Sequence, residues 1–274
     1  SYEPIPLEGW VTPQPFPLEN FRRIPQLSAG LRHARKRWLG RDACSGQILP
    51  QPRFRAIDPD SLVDLTRTPA HYGFHATLAA PFRLRGKETE SALVAALADF
   101  TARQRPVSVP PLAIAQLDNF FCLRPIRHST GMQVLASLCV REFDRFRAPL
   151  NPSELARRKA ALLSGQEKKN LELWGYPYVF EQFRFHFTLT GRMAEGRRKE
   201  QVHAALIETF GPLLGEPLAV DGLCLFVEPA AGQPMRCVQR FPFPLPSSES
   251  EDRVAYDQQL LRQNFYPGHQ CHPA

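Results

Sequence analysis

Two strings in this chain hold residues that can do chemistry together: Phe74-His75-Ala76-Thr77-Leu78 and Phe185-His186-Phe187-Thr188-Leu189, whose histidines stand 111 residues apart. Each reads F-H-x-T-L. An unperturbed imidazole titrates near pH ~6.5, so of two histidines across a cleft one can be neutral and one protonated near neutral pH. That is the requirement for in-line cleavage of a phosphodiester: a base for the attacking oxygen and an acid for the leaving oxygen. Each such group contributes roughly 10²- to 10⁴-fold. Thr77 and Thr188 stand two residues further on, and their hydroxyls can donate to non-bridging phosphate oxygens. Neither step calls for a metal or a cofactor.

The elements that must position these side chains are strands. Phe74, Ala76, Leu78, Ala80, Phe82 and Leu84 alternate with His75, Thr77 and Arg83, and Phe183, Phe185, Phe187 and Leu189 alternate with Arg184, His186, Thr188, Thr190 and Arg192. Period-two alternation predicts half-buried strands with His and Thr on the open face. If the second strand stays regular, Arg184, Thr190 and Arg192 share that face as further anion contacts. One His-x-Thr on a strand is weak evidence of function. Two copies with the same flanking Phe and Leu are not.

The order of elements also repeats. A helical stripe over 88–103 (Leu93, Leu97, Phe100) follows the first motif, then strands near 112–116 and 120–123. A helix near 197–210 follows the second, then strand-like 218–227 and 235–241. Pro111-Leu112-Ala113-Ile114 is echoed by Pro217-Leu218-Ala219-Val220. Between the repeats lies a helical connection, 130–176, with a buried stripe of Leu135, Leu138, Cys139, Phe143 and Phe146 and a new helix start at Asn151-Pro152-Ser153-Glu154. The expected organisation is a proline-rich segment over 1–30, read as loop or extended chain apart from a short basic helix beginning near residue 29. A bilobal domain over 31–245 and a flexible tail over 246–274 follow. The fold class is α+β, with two pseudo-symmetric lobes of antiparallel sheet plus helices and one central cleft.

Composition bounds the rest. The chain has 34 Lys and Arg against 27 Asp and Glu, a net +7, and a pI near 9.3. Both favour an anionic ligand without choosing one. The expected partner is a small phosphate ester, with RNA or a nucleotide as the alternative, and no membrane. There is no run of ~18 apolar residues, no basic start with an apolar core at the amino end, and no C-x-x-C pair among six cysteines. The expected setting is cytoplasmic, with free thiols. Tyr176 and Tyr178 can stack on a base or ribose, or pack in the core. His71 stands too near Gly73 and the strand for a zinc pair with His75.

With these residues in view, the pair of motifs resembles the signature of the 2H phosphoesterase superfamily, named for two His-x-Thr/Ser motifs. Trp38-Leu39-Gly40-Arg41-Asp42, Tyr72-Gly73-Phe74-His75-Ala76-Thr77-Leu78, Trp174 to Phe180 and Phe183 to Arg192 resemble the branch associated with bacterial phosphonate-utilisation operons. The resemblance covers about residues 38–243. It implies that His75 and His186 are the acid and base pair and that Thr77 and Thr188 hold phosphate. It further implies a hydrolase of a small cyclic phosphodiester, a cyclic ribose phosphate or nucleotide, near carbon-phosphorus bond cleavage. The alternatives are a non-catalytic binder of nucleotides or RNA ends, and an RNA end-processing enzyme. The branch has a basic residue where Ala79 stands, and an apolar strand before Trp38 where this chain is proline-rich. The latter leaves either a sheet one strand short or a start that differs from the natural one.

Overall fold

A computed structural model describes residues 18–23, 29–159 and 162–244. Residues 1–17 and the expected tail over 246–274, including His269, Cys271 and His272, lie outside the described residues. The elements run β1 (Leu18–Arg23), α1 (Ala29–Leu39), α2 (Pro59–Tyr72), β2 (Ala76–Thr77), α3 (Glu90–Ala102), β3 (Val107–Val109), β4 (Leu112–Leu117) and β5 (Phe120–Pro125). The connection holds α4 (Thr130–Phe143), α5 (Pro152–Lys159) and α6 (Gly165–Trp174). The second series is β6 (Phe187–Thr188), α7 (Arg197–Phe210), β7 (Leu218–Val220), β8 (Gly222–Glu228) and β9 (Arg236–Pro242). The fold is α+β, as its sequence pattern predicts.

Both repeats have the same order: motif strand, helix, three strands. Antiparallel pairing of β3 with β7 sets Val107 opposite Val220, Ser108 opposite Ala219 and Val109 opposite Leu218. Offsetting the repeats by the 111 residues that separate the motifs makes 107 equivalent to 218 and 109 to 220. The pairing therefore exchanges equivalent positions about an axis through Ser108 and Ala219, as an isologous contact does. The proline-led echo is thus a false alignment by one strand, because Leu112 opens β4 whereas Leu218 opens β7.

The two larger sheets have the orders β2-β1-β8-β9 and β4-β5-β6. Each motif strand lies at the edge of a sheet whose hairpin comes from the other repeat, so the halves are interleaved. The proline-rich segment is not wholly loop: β1 inside it pairs antiparallel with both β2 and β8. The sheet therefore does not lack a strand. Proline is absent between residues 18 and 24, so every backbone donor a central strand needs is present there.

Helix starts follow their capping residues. Asp58 accepts from the Ser61 amide at 3.0 Å ahead of Pro59, and Thr89 accepts from the Ala92 amide at 3.1 Å. Asn151 and Glu154 bond each other's amides, both at 2.8 Å. The faces predicted for α3 and α4 are buried apart from Leu138, which is half-buried. A helix unforeseen from the sequence, α2, contains Pro59 and Pro69.

One continuous apolar core runs through both repeats, and the motifs meet in it. The Phe74 and Phe187 rings stack at 4.9 Å and 10°. Both side chains are buried, and the ring of Phe185 packs edge-on against Phe187 at 5.3 Å. Truncating either stacked ring removes a large buried aromatic. Phe74→Ala and Phe187→Ala are each expected to cost about 3–5 kcal/mol in urea denaturation. The double variant should be less destabilised than the sum by about 0.5–1.5 kcal/mol; strict additivity would show that the motifs are not coupled there.

Candidate active site

Both motif histidines are held by the same local device. The Nδ1 atom of His75 lies 2.7 Å from the carbonyl oxygen of Gly73, and that of His186 lies 2.6 Å from the carbonyl oxygen of Arg184. A carbonyl only accepts, so Nδ1 carries the proton and donates in each case. The Nε2 lone pair of the neutral ring is then left for chemistry. At His75 it lies 3.0 Å from the Thr77 hydroxyl, which can donate to it.

Local geometry explains the residues around the first motif. Gly73 closes α2 at φ +74°, in the left-handed region that glycine tolerates. A Cβ added there would stand 2.4 Å from the Cβ of Ala43. The His75 ring lies 6.3 Å from that of Tyr72 and 6.2 Å from that of Phe226. Ala43, Cys224, Phe226 and Met235 form a small separate apolar cluster against which Tyr72 packs. The segment from Trp38 to Asp42 braces both motifs. Trp38 donates from Nε1 to the Leu189 carbonyl at 2.8 Å in the interior. Arg41 donates to the carbonyls of Ala70 at 3.1 Å and Met235 at 2.6 Å.

The second motif differs in its charge. Cys122 pairs with Thr188 and Leu123 with Phe187. Continuing that register brings Arg124 opposite His186, on the same side of the sheet. Phe120, on that side too, lies 5.9 Å from the His186 ring. Burial pushes the His186 pKa below that of an ordinary imidazole, and the positive charges of Arg124 and Arg184 push it the same way. Cys122 is fully buried, which raises its thiol to about 11. It is floor, not nucleophile.

The predicted site residues divide. His75, Thr77, His186 and Thr188 are half-buried on the faces opposite their buried neighbours, as the alternation implies. Arg184 and Arg192 are exposed. Thr190 is not on the open face: it is 1% exposed, and its hydroxyl accepts from the Phe121 amide at 2.9 Å. The strand ends before it, because the amides of Leu189 and Thr190 both donate to the Phe121 carbonyl and turn the chain inward. Ala79 likewise breaks the first alternation and is buried in the main core. Position 79 therefore does not present a side chain beside His75. Tyr176 lies under the guanidinium of Arg158 at 5.5 Å, and Tyr178 packs edge-on against Tyr176 at 5.6 Å.

Sequence reading missed Arg124, Phe120 and Gly73. A strand over 120–123 was foreseen, but only its register with the second motif reveals what stands beside His186. Among the described residues no three of His, Cys, Asp and Glu are grouped to hold a metal ion. No helix among them is long and apolar enough to cross a membrane.

Two curated proteins named ribose 1,5-bisphosphate phosphokinase PhnN are similar to the chain. The one from Janthinobacterium sp. (strain Marseille) is 35% identical over 215 residues, covering 75% of this chain and 46% of that protein. The one from Laribacter hongkongensis (strain HLHK9) is 36% identical over 203 residues, covering 73% and 45%. The chain thus spans less than half the length of the curated relatives it matches. A family described as "Protein of unknown function (DUF1045)" matches residues 77–236, from within the first His-x-Thr motif to β9 and including the whole of the second. The chain belongs to this DUF1045 family.

Proposed function

We propose that this chain is a phosphoesterase of the 2H type that hydrolyses a small cyclic phosphodiester on a ribose, in phosphonate metabolism. The observation that carries the reading is the repeated clamp: two imidazoles, each pinned through Nδ1, in motifs whose Phe74 and Phe187 rings stack against one another. The name of the curated relatives supports a ribose phosphate as the substrate class. Their kinase activity is not transferred to this chain, which matches under half of each. The chain also has no G-x-x-x-x-G-K-[S/T] string, the loop with which many kinases cradle phosphates.

In the proposed reaction, water attacks phosphorus while the Nε2 of His186 takes its proton. The bond from phosphorus to one ring oxygen breaks, and the Nε2–H of His75 gives its proton to that oxygen. The products are a phosphomonoester and a free hydroxyl. His186 is assigned as the base because burial and two guanidiniums favour its neutral form. Thr77 and Thr188 stabilise the charge on the non-bridging oxygens. Thr190, being committed to the Phe121 amide, takes no part.

His75→Ala and His186→Ala should each lower turnover of a 2′,3′- or 1,2-cyclic phosphate by roughly 10²- to 10⁴-fold, with wild-type activity unaffected by chelator. Chelator-sensitive turnover contradicts the reading, and tight RNA binding without any turnover replaces it with that of a binding protein.

The His186 assignment has its own pH signature. A folded-state pKa lowered below the unfolded ~6.5 means the native state binds fewer protons. Its contribution to stability is complete above that value and is lost as pH falls through the window beneath it. NMR titration of His186 should give a midpoint below ~6.5, and Arg184→Ala should move the midpoint up. An unmoved or lowered midpoint contradicts the assignment.

A further inference from the structure

A basic concavity lies against the chain just ahead of His186. A cavity of about 350 Å³ is lined by Arg124, Arg127, His128, Ser129, Gln133 and Arg184, among others. Its walls come from the end of β5, the turn into α4 and the chain just ahead of the second motif. Arg124, Arg127, His128 and Arg184 are all exposed to it or to solvent. Among the described residues none of the three arginines makes an ion pair. Like charges gathered without a carboxylate repel one another, and an anion relieves that cost. Guanidinium forks match phosphate geometry in particular.

The reacting phosphate belongs at the Nε2 side of the imidazoles, whereas the lining of this cavity includes neither motif histidine and neither motif threonine. The cavity is therefore placed for a different anion. We propose that it is a second phosphate subsite, which takes a phosphomonoester carried on the same ribose as the cyclic diester, and so selects a doubly phosphorylated sugar or nucleotide. This rests on the phosphoesterase reading and adds the substrate's second charge to it. A monoester is nearly a dianion at neutral pH, which suits three guanidiniums. The relatives' own name describes a ribose bearing two phosphates. The cavity is bounded by α4 and by Phe183 and Phe185, so it is a local pocket and not the long stripe an RNA strand would follow.

The test combines binding with turnover. Ribose 5-phosphate, titrated calorimetrically, should bind wild type and Thr77→Val alike and bind Arg127→Ala about tenfold more weakly. In parallel, kcat/KM for a ribonucleoside 2′,3′-cyclic phosphate should rise when a 5′-phosphate is added. Arg127→Ala should abolish that gain and leave the substrate without 5′-phosphate unchanged. Arg127-dependent binding in a protein without turnover would sink the phosphoesterase reading while leaving the subsite standing. The subsite itself is overturned if Arg127→Ala leaves ribose 5-phosphate affinity unchanged, or if Thr77→Val weakens it equally. It is also overturned if an oligoribonucleotide with a cyclic end and no 5′-phosphate depends on Arg127 as strongly.

Discussion

A hydrogen bond from Nδ1–H to the carbonyl two residues upstream is the interaction on which the site depends, and it is made twice. It chooses the tautomer of each imidazole and sets the ring's direction, which in the proposed reaction leaves Nε2 for the substrate. The bond demands a particular backbone course just before each histidine. At His75 that course requires a left-handed residue with no side chain, pressed against Ala43, which only Gly73 satisfies. At His186 the same carbonyl belongs to Arg184, so the residue that orients the ring also brings a charge beside it. The brace from Trp38 to Asp42 serves the same end, because it ties Leu189, the last residue of the second motif, to the close of α2, just before the first.

Duplication explains why two distant strings share one neighbourhood. Motif strands at the edges of sheets built largely from the other repeat bring their buried faces together, and the stacked Phe74 and Phe187 rings record that meeting. Interleaving also means that neither repeat can bury its own core alone, so stability and site geometry rest on the same contacts. The symmetry is incomplete in useful places. β1 separates β2 from β8, whereas β6 lies directly on β5. The second motif therefore has Arg124 as its cross-strand neighbour. The proposed division of labour, with His186 as base and His75 as acid, grows from that difference.

Much of this was legible in the residues. The period-two pattern placed His75, Thr77, His186 and Thr188 on open faces, an apolar stripe located α3, and capping residues located the start of α5. What failed depended on where regularity ends. Thr190 follows the alternation in sequence, but a carbonyl shared between two amides turns the chain and buries it. Pro59 and Pro69 obscured α2, although a proline in a helix's first turn costs nothing. The proline content of the first thirty residues hid β1, because the proline-free window from 18 to 24 is short and its partners lie far along the chain. Arg124 stayed invisible for the same reason: cross-strand neighbours are set by register, which local sequence does not specify.

The most direct test of the central claim is a crystal structure with vanadate, a mimic of the five-coordinate phosphorus of in-line displacement. The account predicts that the Nε2 atoms of His75 and His186 approach opposite apical oxygens of one vanadate, with Thr77 and Thr188 on its equatorial oxygens. Vanadate bound by only one of the two histidines, with the other turned elsewhere, would contradict it.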